Sequence, residues 1–443
     1  MPLSSAIAPC CAALALTTAA QQAAEAPALF RPELRVIHEL DGEGPGDQFG
    51  WIGRNAGDCD GDGIADVFLS APTRSDGGTA TGKVYLYSGK SGALLFARVG
   101  GAPGDQLGLG IERAGDVDGD GRSDVIAGAP GHDRGRGQAL VLSGRDGKVL
   151  LTLEGEAAGD SFGRKVASAG DVDGDGHADV LVGAEYCDST ATDAGRAYLF
   201  SGKDGSAMLA LDGEEQGDRF GVACAGWSRG AENLLVIGAG DAGPGDMGRA
   251  YVFSLVDGEA ELRSTIESDP QGVGLGRMFV SVVGDVDADG FPDVYASDFE
   301  HAGLGTMTGR IYVHSGKTGE RLLTLSGTTA GEGFGIGTAD VGDVNGDGHA
   351  DLLLGAWQNA EGAPSAGKCT LHSGRDGSVL GAWVCTLAQE TFGFDTTGMG
   401  DVDGDGALDF LITNAWSGVR GARSGRAFVL AGPSFPREPA PAR

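Results

Sequence analysis

The sequence predicts an all-β protein, a seven-bladed β-propeller of four-stranded blades, on three observations. First, a motif D-x-[DN]-x-D-G-x-x-D occurs six times, beginning at Asp58, Asp116, Asp171, Asp285, Asp343 and Asp401. The steps are 58, 55, 114, 58 and 58 residues, the long one being two periods with one copy missing. Second, each period carries four short strand-like runs and no sustained helical periodicity. Third, Gly fills 81 of 443 positions without a collagen period, which suits many tight turns. Length alone would suggest roughly three domains, but stacked repeats count as one.

The elements follow in chain order. An apolar run from Ala6 to Leu16, then Thr18-Ala19-Ala20 before Gln21, makes residues 1–20 the expected secretory signal. A misassigned start codon is the alternative, since the n-region lacks Lys and Arg. The run is too short to span a bilayer, and no later segment reaches ~18 continuous apolar residues. Residues 21–33 are the expected linker, 34–432 the propeller and 433–443 a Pro-rich tail. Leu34 to Leu40 is an orphan strand resembling the fourth-strand run Leu150 to Glu154, so it should complete the last blade and close the ring. An open array would leave a bare strand edge.

A Phe-Gly or Leu-Gly step counts the blades: Phe49, Leu107, Phe162, Phe220, Leu275, Phe334 and Phe392. In the third unit the expected strands are Arg164 to Ser168, Ala178 to Val182, Arg196 to Phe200 and Ala207 to Leu211. The last two are joined by a hairpin turn at Ser201-Gly202. Related turns recur at Ser88-Gly89, Ser143-Gly144, Ser315-Gly316 and Ser373-Gly374. The fourth unit keeps the apolar strand Leu234 to Gly240 but lacks the acidic motif. Its connection, Ala225 to Asn233, reads as a shorter loop, and that blade should fold without metal. After Phe392 only three strands remain.

The repeated motif has the chemistry of a calcium loop. Ca²⁺ takes six to eight oxygens, and positions 1, 3, 5 and 9 supply carboxylates while position 7 supplies a backbone carbonyl. The expected ligands are Asp58, Asp60, Asp62, Ile64 and Asp66; Asp116, Asp118, Asp120, Arg122 and Asp124; Asp171, Asp173, Asp175, His177 and Asp179. They continue with Asp285, Asp287, Asp289, Phe291 and Asp293; Asp343, Asn345, Asp347, His349 and Asp351; Asp401, Asp403, Asp405, Ala407 and Asp409. Position 6 is always Gly, permitting a sharp turn. An EF-hand would need a bidentate Glu at position 12 and flanking helices, whereas Ala127 stands there in the second loop, inside a strand. Six Ca²⁺ ions in structural roles are expected, in preference to Mg²⁺, which rarely occupies dedicated all-protein cages.

A net charge of -31 argues against a nucleic-acid partner. Of seven cysteines, Cys10 and Cys11 lie in the expected signal. The remaining Cys59, Cys187, Cys224, Cys369 and Cys385 are an odd number and do not read as a disulfide scaffold.

The order Phe-Gly, acidic loop, Gly-Ala-Pro is similar to the FG-GAP repeat of the integrin alpha-chain propeller. It runs here from Phe49-Gly50 to Ser70-Ala71-Pro72 and from Leu107-Gly108 to Gly128-Ala129-Pro130. Later copies drift, to Gly183-Ala184-Glu185, Gly355-Ala356-Trp357 and Thr413-Asn414. The resemblance covers nearly all of the chain from Leu34 onward. It implies calcium loops on one face of the ring and ligand-binding loops on the other. Six acidic loops are more than such chains usually carry, and nothing matches an inserted von Willebrand A-type domain, leg domains or an anchor.

The remaining residues are weighed singly. The aromatic of each Phe-Gly pair reads as packing between blades, and Asp47, Asp105, Asp160 and Asp218 as turn caps. His177 and His349 should be solvated. The segments after each second strand, 73–81, 131–137, 185–194, 299–308 and 357–367, should converge on one face. There Trp357 and Trp416 either anchor a partner or pack locally. The leading function is a secreted or cell-surface, monomeric calcium-binding module for an extracellular protein or glycan, with adhesion as the role. The alternatives are an enzyme on a propeller scaffold, quinoprotein-like or a hydrolase accessory, and a purely structural envelope protein.

Overall fold

Short strands separated by glycine turns cannot bury two faces alone, so the repeats stack around an axis. The computed structural model describes residues 28–435, and the expected signal 1–20 lies outside them. Seven antiparallel sheets form a seven-bladed propeller. In blade three the strands are Lys165–Gly170, Asp179–Ala184, Arg196–Phe200 and Ala207–Asp212, within two residues of expectation. The innermost strand of each blade lies against that of the next, and blade seven returns to blade one. Among the described residues, helix is confined to single turns at His132–Gly135 and Pro244–Asp246.

Burial follows position in the blade. Second strands such as Asp66–Ala71, Asp124–Ala129 and Asp179–Ala184 are buried at every residue, because neighbouring blades cover both faces. Fourth strands such as Leu94–Val99 alternate between exposed and half-buried residues at the rim. The Phe-Gly residues join blade to blade. Phe49, Leu107, Phe162, Phe220, Leu275 and Phe392 each make a parallel bridge to the glycine heading the preceding blade's third strand, as Phe162 does to Gly137. A Cβ on Gly137 would lie 2.0 Å from the Phe162 carbonyl oxygen, so only glycine admits the approach.

Val36–Asp41 pairs antiparallel with Arg426–Leu430 and completes blade seven, as the orphan strand predicts. A further strand comes from the expected linker. Phe30–Arg31 adds to the outer edge of blade six, with Phe30 opposite Cys385. Phe30 is buried, its ring centroid 4.6 Å from that of Phe392 and 5.4 Å from that of Phe428. One aromatic side chain within the linker carries this, and a two-residue strand leaves no alternation to read.

Blade four departs from expectation. Its first two strands run Phe220–Arg229 and Glu232–Ala239, leaving Gly230 and Ala231 as the turn. The span Ala225 to Asn233 is therefore mostly hairpin, not loop. Without carboxylates to hold apart, nothing interrupts the ladder. The outer strands Arg249–Val256 and Glu259–Glu267 lengthen in step. All five cysteines among the described residues are buried and unpaired.

Candidate metal centres

Each acidic loop joins the first and second strands of its blade, so all six open on one face of the ring. The local fold comes from nested side-chain-to-backbone hydrogen bonds. In the second loop Asp116 Oδ1 accepts the N–H groups of Gly119 (2.8 Å) and Asp120 (3.0 Å), and Oδ2 accepts that of Gly121 (2.9 Å). Asp118 Oδ1 accepts from Asp120 at 3.1 Å, and Asp120 Oδ1 from Arg122 at 3.0 Å. The same pattern curls the loops at Asp58, Asp171, Asp343 and Asp401.

This winding turns oxygens inward. Carboxylates of Asp58, Asp60 and Asp62 lie within 4.8 Å of one another, as do those of Asp285, Asp287 and Asp289. So do Asp116, Asp118 and Asp124; Asp171, Asp173 and Asp179; and Asp401, Asp403 and Asp409. The loop at Asp343 keeps the winding, but Asn345 replaces one carboxylate and donates to Asp347 Oδ2 at 3.3 Å. An all-oxygen donor set on a tight loop fits a hard divalent cation and no soft metal.

The aspartate at position 9 has a second task that spacing does not announce. Asp179 Oδ2 accepts the N–H of Val172 at 2.9 Å, and Oδ1 accepts that of Gly202 at 2.9 Å. It thus ties the acidic loop to the Ser-Gly turn between strands three and four. Asp66, Asp124, Asp293, Asp351 and Asp409 hold Gly89, Gly144, Gly316, Gly374 and Gly432 in the same way. Burial pushes Asp66, Asp124, Asp179 and Asp351 up to about 6 and Asp293 up to about 7, and a cation beside them would oppose that shift. The recurrent glycine has its own reason. A Cβ on Gly202 would sit 2.0 Å from the Ala178 carbonyl oxygen. In blade four the amide of Asn233 substitutes, accepting from Leu255 N–H (2.5 Å) and donating to its carbonyl (3.2 Å).

Position 7 links neighbouring loops. His177 and His349 are half-buried and not free in solvent: their Nδ1 atoms lie 2.7 Å from the carbonyl oxygens of Val117 and Val286 in the preceding blades. Arg122 does the same, donating to Cys59 (3.2 Å) and Asp60 (2.5 Å) carbonyls. Phe291 instead packs on Trp227 of blade four, centroids 5.2 Å apart. Adjacent loops stand shoulder to shoulder around the axis, so a long side chain at this position meets a carbonyl before it meets water. Arg35 pairs with Asp403 and Asp405 of the last loop.

On the opposite face Asp47, Asp105, Asp160 and Asp218 cap turns, as expected. Each accepts the backbone N–H three residues earlier, at 2.7 to 3.0 Å. Trp357 is buried against Phe394 and Trp416, which favours local packing over an anchor role. Trp416 is half-buried, with the Arg423 guanidinium 4.9 Å from its ring centroid. Among the described residues no helix is long and apolar enough to cross a membrane.

Comparison with known families agrees with this architecture. The FG-GAP repeat matches residues 113–142, 162–200 and 337–379, and the FG-GAP-like repeat matches 58–127 and 285–354. The chain is 29% identical to integrin alpha-4 of Xenopus laevis over 181 residues, covering 39% of this chain and 17% of that protein. It is 32% identical to integrin alpha-IIb of Mus musculus over 200 residues, covering 41% and 19%. It is 34% identical to integrin alpha pat-2 of Caenorhabditis elegans over 175 residues, covering 34% and 14%. The matched stretch thus spans less than a fifth of each of these relatives. Repeat, blade and ring agree, and the chain is an FG-GAP β-propeller of the integrin-alpha-like type.

Proposed function

We propose that this chain is an extracellular, calcium-stabilised interaction module that presents the loops of one face to a protein or glycan partner, with adhesion as its role. The observation that carries the metal half is the convergence of three carboxylates within 4.8 Å in five loops of one ring face. Carboxylates that close repel one another strongly without a cation between them. The cation is structural in this reading. Its ligands are the aspartates at positions 1, 3, 5 and 9, Asn345 in the loop at Asp343, and the backbone carbonyl at position 7. The integrin alpha relatives support the interaction half, and the segments 73–81, 131–137, 185–194, 299–308 and 357–367 form the candidate binding face.

Two measurements test the reading. A ligand that binds only the folded state stabilises it by mass action, so EGTA should lower the melting temperature and millimolar Ca²⁺ should restore it. Pull-down from native extracellular matrix should succeed in Ca²⁺ and fail in EGTA. A melting curve indifferent to chelation removes the structural metal. Equal capture with and without EGTA removes calcium-dependent binding.

A further inference from the structure

The seven innermost strands enclose an axial cavity of about 320 Å³, to which every blade contributes lining residues. Its charges are unevenly satisfied. Arg54 is engaged on both sides, with Nη1 2.5 Å from Asp395 Oδ2 and Nε 2.7 Å from Glu112 Oε2. Lys165 is not. Its ammonium reaches from blade three to blade five, 4.7 Å from the ring centroid of Phe279. A ring face attracts the charge but supplies no oxygen acceptor for the three N–H donors. Among the described residues no carboxylate or carbonyl stands at ion-pair or hydrogen-bond distance from Lys165. Burial, and then the Arg54 charge, push the amine down to about 8, so it stays largely protonated at neutral pH. Thr397 of blade seven lines the same cavity, and no described residue engages its hydroxyl.

Lys165 is half-buried, and Asp395 and Glu112 offset its charge only from a distance, so an anion in the cavity would supply a direct counter-charge. The remaining groups shape the choice. Ser168 and Thr338 already donate to carbonyls of adjacent blades, at 2.9 and 3.1 Å, so they hold the wall together. Glu112 and Asp395, both held by Arg54, repel a highly charged anion; Asp340 lines the cavity too, with burial pushing its carboxyl up, and this leaves room for one negative charge at most. The cavity volume suits a small molecule, not a chain segment. Lys165 begins its strand three residues after Phe162, at the end away from the aspartate loops. Entry from that mouth avoids the acidic face. We propose that the axial cavity binds a small organic acid through its carboxylate, with Lys165 as counter-charge and Thr397 as hydroxyl donor.

Titration calorimetry on the calcium-loaded full chain tests this with acetate, glucuronate and the methyl ester of glucuronate. Saturable binding of at least one free acid and none of the ester is expected. Lys165→Met keeps the side-chain length and the packing on Phe279, and should weaken binding at least tenfold. Lys165→Arg should retain it within about threefold. Should the Met variant misfold by circular dichroism, Thr397→Val serves in its place, with a threefold or greater loss expected. Absence of saturable heat from both acids with the unaltered chain overturns the proposal, and so does equal affinity in a folded Lys165→Met variant.

Discussion

At the scale of single residues, the aspartate at position 9 and the glycine facing it form the joint of each blade with an acidic loop. Gly202 shows why the pair is fixed: its missing Cβ leaves room for the Ala178 carbonyl while its N–H meets Asp179. Gly202→Ala should therefore destabilise the protein by about 1–3 kcal/mol through overpacking, read as a lower denaturation midpoint at unchanged slope. A second residue-scale effect is acid sensitivity. His314 and His372 are buried, and burial holds both imidazoles below the ordinary histidine range. Their rings lie 3.0 Å from the carbonyls of Gly319 and Gly377. A histidine depressed in the folded state contributes stability above its unfolded pKa of about 6.5, and that stability is lost as pH falls through and below this value. The calcium-saturated protein should lose melting temperature between pH 7 and pH 5. The double variant His314→Phe/His372→Phe should start lower and show a shallower slope over that interval.

At the scale of elements, the blades with acidic loops and blade four solve one problem in two ways. Six blades wrap aspartates around a turn, whereas blade four runs its hairpin straight through and replaces the buried carboxylate joint with Asn233. Hydrogen exchange should expose the contrast. On adding EGTA, amides of Asp171–Asp179 should lose protection, while those of Phe220–Arg229 should keep theirs. Equal loss in both would show that the straight hairpin depends on metal as much as its neighbours do. This contrast also marks how much was legible in the sequence. The six motifs, the Phe-Gly step and the closing strand were readable because each repeats or pairs by local pattern. The length of the blade-four hairpin was not, because Trp227-Ser228-Arg229 carries no turn-breaking signal that separates strand from loop. The contacts of His177, Arg122 and His349 were hidden for another reason. They join loops roughly a full period apart, and no local pattern reports a carbonyl 60 residues away. The double duty of Asp179 was half visible: its place in the motif announces a metal ligand, but its bond to Gly202 belongs to the packed blade.

At the scale of the whole molecule, the ring is held shut without a disulfide among the described residues. Val36–Asp41 supplies the fourth strand of blade seven, and Phe30 seals the junction of blades six and seven between Phe392 and Phe428. Phe30→Ala should cost about 3–5 kcal/mol, as for other buried aromatics cut back to alanine. Removing residues through Asp41 should cost more, because it exposes the edge of Arg426–Leu430, and aggregation on heating would report it. The register of that closing pair places Val36 beside Leu430, so the first and last strands of the ring finish side by side. Where the polypeptide starts is then a matter of connectivity, not of architecture. A circular permutant with these ends spliced by a short glycine linker, and new termini cut at Gly230–Ala231, would carry its seam in the blade that has no acidic loop and should still assemble the same wheel.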